Sequence, residues 1–279
     1  MNRQKSFHQD KAKLYLVATP IGNLEDMTYR SIRVLNEVDL IYAEDTRNSA
    51  KLLKHFEIST HMFSYHEHNK EVKSDEIIAH LSDGKSVALI SDAGYPVVSD
   101  PGYVIVKKAI EQDFDVIAIP GASAFLQALV VSGLRPHPFM FFGFLDAKRS
   151  KRVKQLTTLM MQEETMIFYE SPHRLFKTLQ DMLDVFGDRK VVVARELTKK
   201  FEEIIRGNLR EVLRMEPVKG EIVLLVEGAK EQDLQTNLTV IEEVNMLIKN
   251  GFSVKDAIKQ VAKNRNLKKS DVYQEYHID

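Results

Sequence analysis

"LISDAGYPVVSDPGY", from Leu89 to Tyr103, is an apolar run that breaks into two acidic turns, each with a Gly and a Pro. The residues before the break are apolar at consecutive positions, the pattern of a strand buried on both faces. In open α/β sheets, ligands bind outside the carboxyl ends of the strands. Asp92, Gly94, Pro96, Asp100, Pro101 and Gly102 therefore read as a binding loop at the end of a central strand. Carboxylates and backbone carbonyls suit a cationic or hydroxyl-rich ligand better than a phosphate. S-Adenosylmethionine has a sulfonium and a ribose and carries no phosphate. A pair of Asx turns, with carboxylates capping backbone amides, explains the same residues. Spacing alone leaves both readings open.

Outward from this loop, short β-branched or aromatic runs alternate with amphipathic stretches. Strands are expected at Leu14–Ala18, Leu40–Ala43, Ser86–Ser91 and Asp115–Ile119, then at Phe139–Gly143, Thr165–Glu170, Lys190–Glu196 and Glu221–Gly228. Helices are expected in "SDEIIAHLSDGK", closed by Gly84, and in "SPHRLFKTLQDMLDVFG", with Pro172 near its start and Gly187 at its end. This alternation indicates an α/β architecture. Gly133, Pro136 and Pro138 interrupt the pattern, and "AKEQDLQTNL" reads as a linker. Three short helices follow, the first ended by Asn250-Gly251 and the second capped by Ser253. The expected division is residues 1–120, 121–229 and a helical tail over 230–279.

Two further turns stand at strand ends. "TPIGNLED" places Pro20 and Gly22 in a tight turn, and "PGASA" follows the strand at Asp115–Ile119. Neither Gly-x-Gly-x-x-Gly nor Gly-x-x-x-x-Gly-Lys-Ser/Thr occurs, which argues against a dinucleotide or P-loop site. The chain has no Cys, so disulfides and thiolate metal sites are excluded. His66 and His68 in "SYHEHNK" would share one face of a strand. No third ligand is near them, and no metal is expected.

The segments "VATPIGNLEDMTYRS", "AEDTR", "HEHN", "ISDAGYPVVSDPG", "PGASA", "FYESPHR", "ARELTK" and "KGEIVLLVEG" occur in order with fitting separations. Together they resemble the bacterial 16S rRNA ribose 2'-O-methyltransferases of the tetrapyrrole-methylase-like superfamily. The resemblance spans roughly Leu14 to Gly228, and the helical tail matches that family's small helix-turn-helix-like domain. It implies two α/β domains with an S-adenosylmethionine cleft between them, a homodimer, and a cytidine ribose of 16S rRNA near the decoding centre of the 30S subunit as target. Matched residue by residue, it implies cofactor contacts from Pro20, Gly22, Asp92, Ala93, Gly94, Val97, Ser123 and Ala124. In the second domain it implies Tyr169, Glu196, Leu197, Gly220 and Glu221.

Methyl transfer to a ribose hydroxyl needs alignment and removal of one proton. Glu44, Asp45, His66, Glu170 and Glu196 are candidate bases, and none is singled out. Each carboxylate is equally explained as a helix cap or an ion-pair partner. Asp45 or Thr46 would cap the next helix while Arg47 pairs with a carboxylate.

Net charge is only −1, so RNA affinity would depend on local basic patches. Lys148, Arg149, Lys151 and Arg152, with Lys154, form the densest patch; Arg174 and Lys199 are the other candidates. Lys200 and the tail cluster Lys263, Arg265, Lys268 and Lys269 add to these, and solvated helix faces would look the same. Arg174 is also placed to lock Glu170. The N-terminal "MNRQKSFHQDKAK" lacks an apolar signal region, and no run has the length of a membrane span, so the expectation is a soluble cytoplasmic protein. A tetrapyrrole C-methyltransferase and a non-catalytic ribosome-binding protein are the rival readings. The basic patches disfavour the first and the intact glycine loops disfavour the second.

Overall fold

The computed structural model describes residues 3–5, 11–230, 239–249 and 251–277. By internal packing the chain divides into two units, Met1–Ala124 and Phe125–Asp279. Most of the N-terminal extension, most of the expected linker, and Asn250 lie outside the described residues.

The first unit is a parallel five-stranded sheet. Its strands are β1 (Lys13–Val17), β2 (Leu40–Ala43), β3 (Met62–Ser64), β4 (Val87–Ile90) and β5 (Asp115–Ile119), in the order β3-β2-β4-β1-β5. The strand that ends in the acidic loop is thus the central one. Helices α1 (Tyr29–Glu37), α2 (Thr46–His55), α3 (Lys70–Ser82) and α4 (Tyr103–Glu111) connect the strands. Successive strand residues point to opposite faces. Ala88 and Ile90 join one apolar cluster, with Val34, Leu35 and Leu53. Val87 and Leu89 join the other, with Ile77, Leu81 and Ile105. Burial on both faces is why β4 lacks polar residues.

The second unit opens with α5 (Ala124–Ser132) and contains a mixed sheet of order β6-β7-β10-β8-β9. Its strands are β6 (Phe139–Phe144), β7 (Thr165–Glu170), β8 (Lys190–Arg195), β9 (Glu203–Asn208) and β10 (Ile222–Val226). β6 and β7 are parallel, and the other pairings are antiparallel. Helices α6 (Arg149–Leu159) and α7 (Leu175–Phe186) and the short α8 (Leu209–Val212) contribute to its core. Gly187 closes α7 with φ 75°, as expected from sequence.

Three helices end the chain: α9 (Val240–Lys249), α10 (Val254–Asn264) and α11 (Lys269–His277). Ser253 caps α10, its hydroxyl accepting from the Asp256 amide. Val244, Leu247, Ile258, Val261 and Val272 give this tail a core of its own. The two-sheet α/β architecture with C-terminal helices agrees with the sequence reading. Two strands were not expected: β3 has only three residues, and β9 carries Glu203, Arg206 and Asn208 on a sheet edge. Residues 65–69 leave β3 and turn into α3, so His66 and His68 do not alternate along a strand.

Candidate functional site

Because every strand of the first sheet is parallel, all five carboxyl ends lie along one edge. Thr19 and Gly94 bridge there, with amide–carbonyl hydrogen bonds of 2.9 and 3.0 Å. The buried Thr19 hydroxyl donates to the Ser91 carbonyl at 3.1 Å, and the Ser91 hydroxyl donates to the Gly94 carbonyl at 3.2 Å. The Gly121 amide donates to the Tyr95 hydroxyl at 3.1 Å, joining the "PGASA" turn to the acidic loop. Val97 (φ 82°) and Ser99 (φ 65°) adopt left-handed backbone conformations. Such residues cost about 1–3 kcal/mol each and persist only where the surroundings over-determine them. A Cβ on Gly102, whose φ is 152°, would lie 2.7 Å from Val97 Cγ2. The loop is therefore a rigid, close-packed cradle. Pro20 is buried beneath it, while Gly22, Asp92 and Ala93 are exposed.

The charge on this edge is mostly acidic, with Arg47 paired to Asp45 at 2.8 Å. Burial, then the charges of Asp92 and Asp45, raise the Glu44 carboxyl, with His66 opposing. Burial, then Glu44, push Asp100 up to about 6, against a hydrogen bond with Ser91, and Asp92 adds to the rise. Like charges crowded in a half-buried site favour a cation between them. Asp92 accepts from the Asp45 amide and from Asn48 Nδ2, both at 3.2 Å, so it also steadies the start of α2. Both sequence readings of Asp92 are thus compatible with its position. Asp100 was part of the quoted loop but not among the expected site residues. Its signal was the second turn itself, "SDPG".

Three of the candidate bases are committed elsewhere. Asp45 caps α2, accepting from the Arg47 amide at 2.9 Å. Hydrogen bonds from the Arg47 side chain and then from its amide hold the carboxyl down at about 2. Glu170 is buried, accepting from the Thr178 hydroxyl at 2.6 Å and the Ser171 amide at 2.8 Å, with Arg174 Nε at 3.3 Å. Glu196 is lowered by the Glu221 amide and then by Lys199. Glu44 and His66 remain, the latter with Asn69 Nδ2 at 3.2 Å from its Nε2.

In the second unit, Glu196 and Glu221 clasp each other. The Glu196 amide donates to the Glu221 carbonyl, and the Glu221 amide donates to Glu196 Oε1, each at 3.0 Å. Lys199 Nζ donates to Glu196 Oε1 at 3.1 Å and to Glu221 Oε2 at 2.9 Å. A Cβ on Gly220 would lie 2.4 Å from the Glu196 side chain. Leu197 is buried beside this clasp. Tyr169, on β7, packs its ring 5.0 Å from Phe141 and 5.4 Å from Phe144. Ser123 and Ala124 stand at the start of α5, both partly exposed.

The expected RNA patch needs correction. Arg152 is only 3% exposed, and its Nε and Nη2 donate to Asp181 Oδ2 at 2.9 and 2.6 Å. It lies among Val153 and Leu156 on the buried side of α6, so it is an interior ion-pair partner and not a phosphate contact. Arg149 donates to Asp181 Oδ1 at 2.8 Å and reaches Asp184 at 3.6 Å, though its side chain remains exposed. Lys151 lies 3.7 Å from Asp146. Arg174 donates to the Leu145 carbonyl at 2.7 Å beside Glu170, the locking role that the sequence also admitted. Lys199 is held in the clasp, and Lys148 is exposed.

Residues 13–213 match the family model of the tetrapyrrole (corrin/porphyrin) methylases. A Bacillus subtilis (strain 168) protein named ribosomal RNA small subunit methyltransferase I is 47% identical, over 100% of this chain and 99% of that protein. A Halalkalibacterium halodurans protein of the same name is 49% identical over 99% of each. Among solved structures, diphthine synthase superimposes with a TM-score of 0.61 at 13% identity, covering 81% of this chain and 94% of that one. The cobalt precorrin-4 methyltransferase gives 0.57 at 18%, covering 77% and 94%. At such identities these structural likenesses speak to the fold alone.

Proposed function

The chain belongs to the tetrapyrrole (corrin/porphyrin) methylase family, and on that premise we propose that it methylates a ribose 2'-hydroxyl of small-subunit rRNA. The methyl donor is S-adenosylmethionine, and the target is a cytidine at the decoding centre. The observation that carries the donor assignment is the acidic carboxyl edge, where, beyond burial, the charges of Asp92 and Asp45 help raise the Glu44 carboxyl and those of Glu44 and Asp92 help raise Asp100. A cation relieves that repulsion, and a phosphate worsens it. The rRNA assignment rests on the 47% and 49% identical relatives named as small-subunit rRNA methyltransferases.

The cofactor supplies an electrophilic methyl on a positively charged sulfur. The rigid loop of Ser91–Gly102 and the turns at Pro20–Gly22 and Ser123–Ala124 hold and orient it, with Asp92 and Asp100 facing the positive charge. Ala93, Gly94 and Val97 offer backbone groups on the same loop. Within the second unit, Tyr169, Leu197, Gly220 and the Glu196–Glu221 clasp are candidate cofactor contacts on the strength of the sequence resemblance alone. As the new O–C bond forms, the hydroxyl proton must leave. Glu44 is the proton acceptor in this reading. Among the described residues it is the one carboxylate of the five sequence candidates that is not pinned by hydrogen-bond donors, and burial with the neighbouring Asp92 and Asp45 charges raises its proton affinity.

The same reading carries a cytoplasmic homodimer acting on the 30S particle. No described helix is long and apolar enough to cross a membrane. Leu126, Val130, Phe139 and Phe144 expose an apolar surface on α5 and the edge strand β6, which a second copy would cover. The test uses purified protein, methyl-labelled S-adenosylmethionine and small subunits from cells lacking this protein. The expected product is one cytidine whose 3' linkage resists alkaline hydrolysis, because the 2'-oxygen no longer attacks the phosphate. Label on a base, or only on a tetrapyrrole substrate, would overturn the proposal.

A further inference from the structure

The dense basic stretch at residues 148–154 is partly neutralised by Asp181, Asp184 and Asp146. The helical tail contrasts with it. Between Gly251 and Asp271 there are six cationic side chains and only two acidic ones, Asp256 and Asp271. Arg265 is taken up by Glu243, at 2.6 Å. The other five, Lys255, Lys259, Lys263, Lys268 and Lys269, are all exposed, and none forms an ion pair among the described residues.

Their arrangement is regular. Lys255, Lys259 and Lys263 recur every fourth residue along α10, so they form one stripe. Ala257, Ile258, Val261 and Ala262, on the other side of that helix, pack into the tail core and fix which side the stripe presents. Successive lysines rise about 6 Å along the axis, comparable to the spacing of neighbouring phosphates on a nucleic-acid strand. Lys269, Tyr273 and His277 repeat the same spacing on α11, with Tyr273 54% exposed and its ring 4.3 Å from that of His277. Lys268 and Lys269 stand at the amino end of α11, where positive side chains oppose the helix dipole. Helix stability does not account for them there.

We propose that the α10 stripe, Lys255, Lys259 and Lys263, extended by Lys268 and Lys269, is a docking surface for the rRNA phosphate backbone, and that Tyr273 offers a base-stacking platform beside it. This rests on the rRNA-methyltransferase reading and names the surface through which that substrate is gripped. The lysines supply affinity without sequence information, and base selection stays with the catalytic edge. Proteins that hold single strands combine a basic surface with exposed aromatic rings on which bases stack.

The test compares the parent with a Lys255→Ala/Lys259→Ala/Lys263→Ala variant in the full chain. Affinity for transcribed 16S rRNA is measured from 50 to 200 mM salt, with S-adenosylmethionine affinity and thermal unfolding as controls. Three lost phosphate contacts should flatten the salt dependence, so that the variant loses about 20- to 40-fold less affinity than the parent across that range. Cofactor affinity and unfolding should be unchanged, since all three side chains are exposed. Tyr273→Ala should weaken RNA binding without altering the salt slope. Superimposable salt curves for parent and triple variant would overturn the proposal. So would a defect seen only on assembled 30S particles and not on naked rRNA, because the stripe would then meet a ribosomal protein. If the parent itself neither binds nor methylates rRNA, the failure belongs to the functional reading and is visible as such.

Discussion

Asp100→Asn removes one charge from the acidic edge and keeps the side chain's shape. In the folded chain burial, then the charge of Glu44, lift this carboxyl from the ordinary range up to about 6. A carboxyl with a raised folded pKa holds its proton more tightly when folded than when unfolded. Its stabilising contribution is therefore complete below the unfolded value, near 4, and is lost as pH rises through about 6. A displacement of about 2 on the pH scale corresponds to about 3 kcal/mol, and screening of a half-buried group reduces this to about 1.5 kcal/mol. The unliganded Asn variant should thus be more stable than the parent by about 1.5 kcal/mol at pH 7.5 and equally stable at pH 4. At the same time it should bind S-adenosylmethionine about 10- to 150-fold more weakly, through the loss of a charge-assisted contact. Urea unfolding from pH 4 to 8 measures the first effect, and calorimetry the second. A lower unfolding midpoint at pH 7.5, or a difference independent of pH, would make Asp100 a turn-stabilising residue and refute the electrostatic reasoning.

Gly102→Ala should lower both the melting temperature and cofactor affinity, because its φ of 152° and the 2.7 Å approach to Val97 leave no room for a Cβ; unchanged binding would mean that the loop is not the cradle. Gly220→Ala should disrupt the Glu196–Lys199–Glu221 clasp, since its φ is 94° and its Cβ would lie 2.4 Å from Glu196; a lower melting temperature together with weakened cofactor binding is the expected pattern, and unchanged binding would remove the clasp from the cofactor contacts. Asp181→Ala should cost about 3–5 kcal/mol in urea unfolding by stranding the buried Arg152. Combining Asp181→Leu with Arg152→Met should recover most of that loss.

Much of the fold was legible because each buried strand carries its own signature. β4 and β10 are apolar throughout and buried throughout, and the consecutive-apolar pattern found both. The strands that escaped notice are those for which burial does not dictate composition. β3 is too short for any period to register, and β9 sits at a sheet edge, where Glu203 and Arg206 remain solvated. The acidic loop was legible for a similar reason. A glycine such as Gly102 is demanded by a contact that no other residue tolerates, so its presence in sequence reports a crowded backbone.

Charge is less legible than packing, because a residue's letter does not reveal its partner. In "AKRSKRVK" five cations lie close together in sequence, yet the helical period turns Arg152 inward onto Asp181, a residue 29 positions away. That acid is invisible to any local count. The tail is the opposite case: its cations recur at four-residue spacing, and a four-residue spacing on a helix keeps them on one side. Where the opposite side is apolar, as at Ile258 and Val261, the stripe must face solvent, and no distant acid is needed to interpret it. The sequence signal for a basic surface is therefore its phase relative to the apolar face, more than its density. By that criterion Lys255, Lys259 and Lys263 mark a surface stripe, and Arg152, in phase with Val153 and Leu156, belongs to the interior. The near-zero net charge of the chain conceals both an acidic edge suited to a cation and a basic stripe suited to a polyanion. Each is set by where the fold lets like charges stand unpaired.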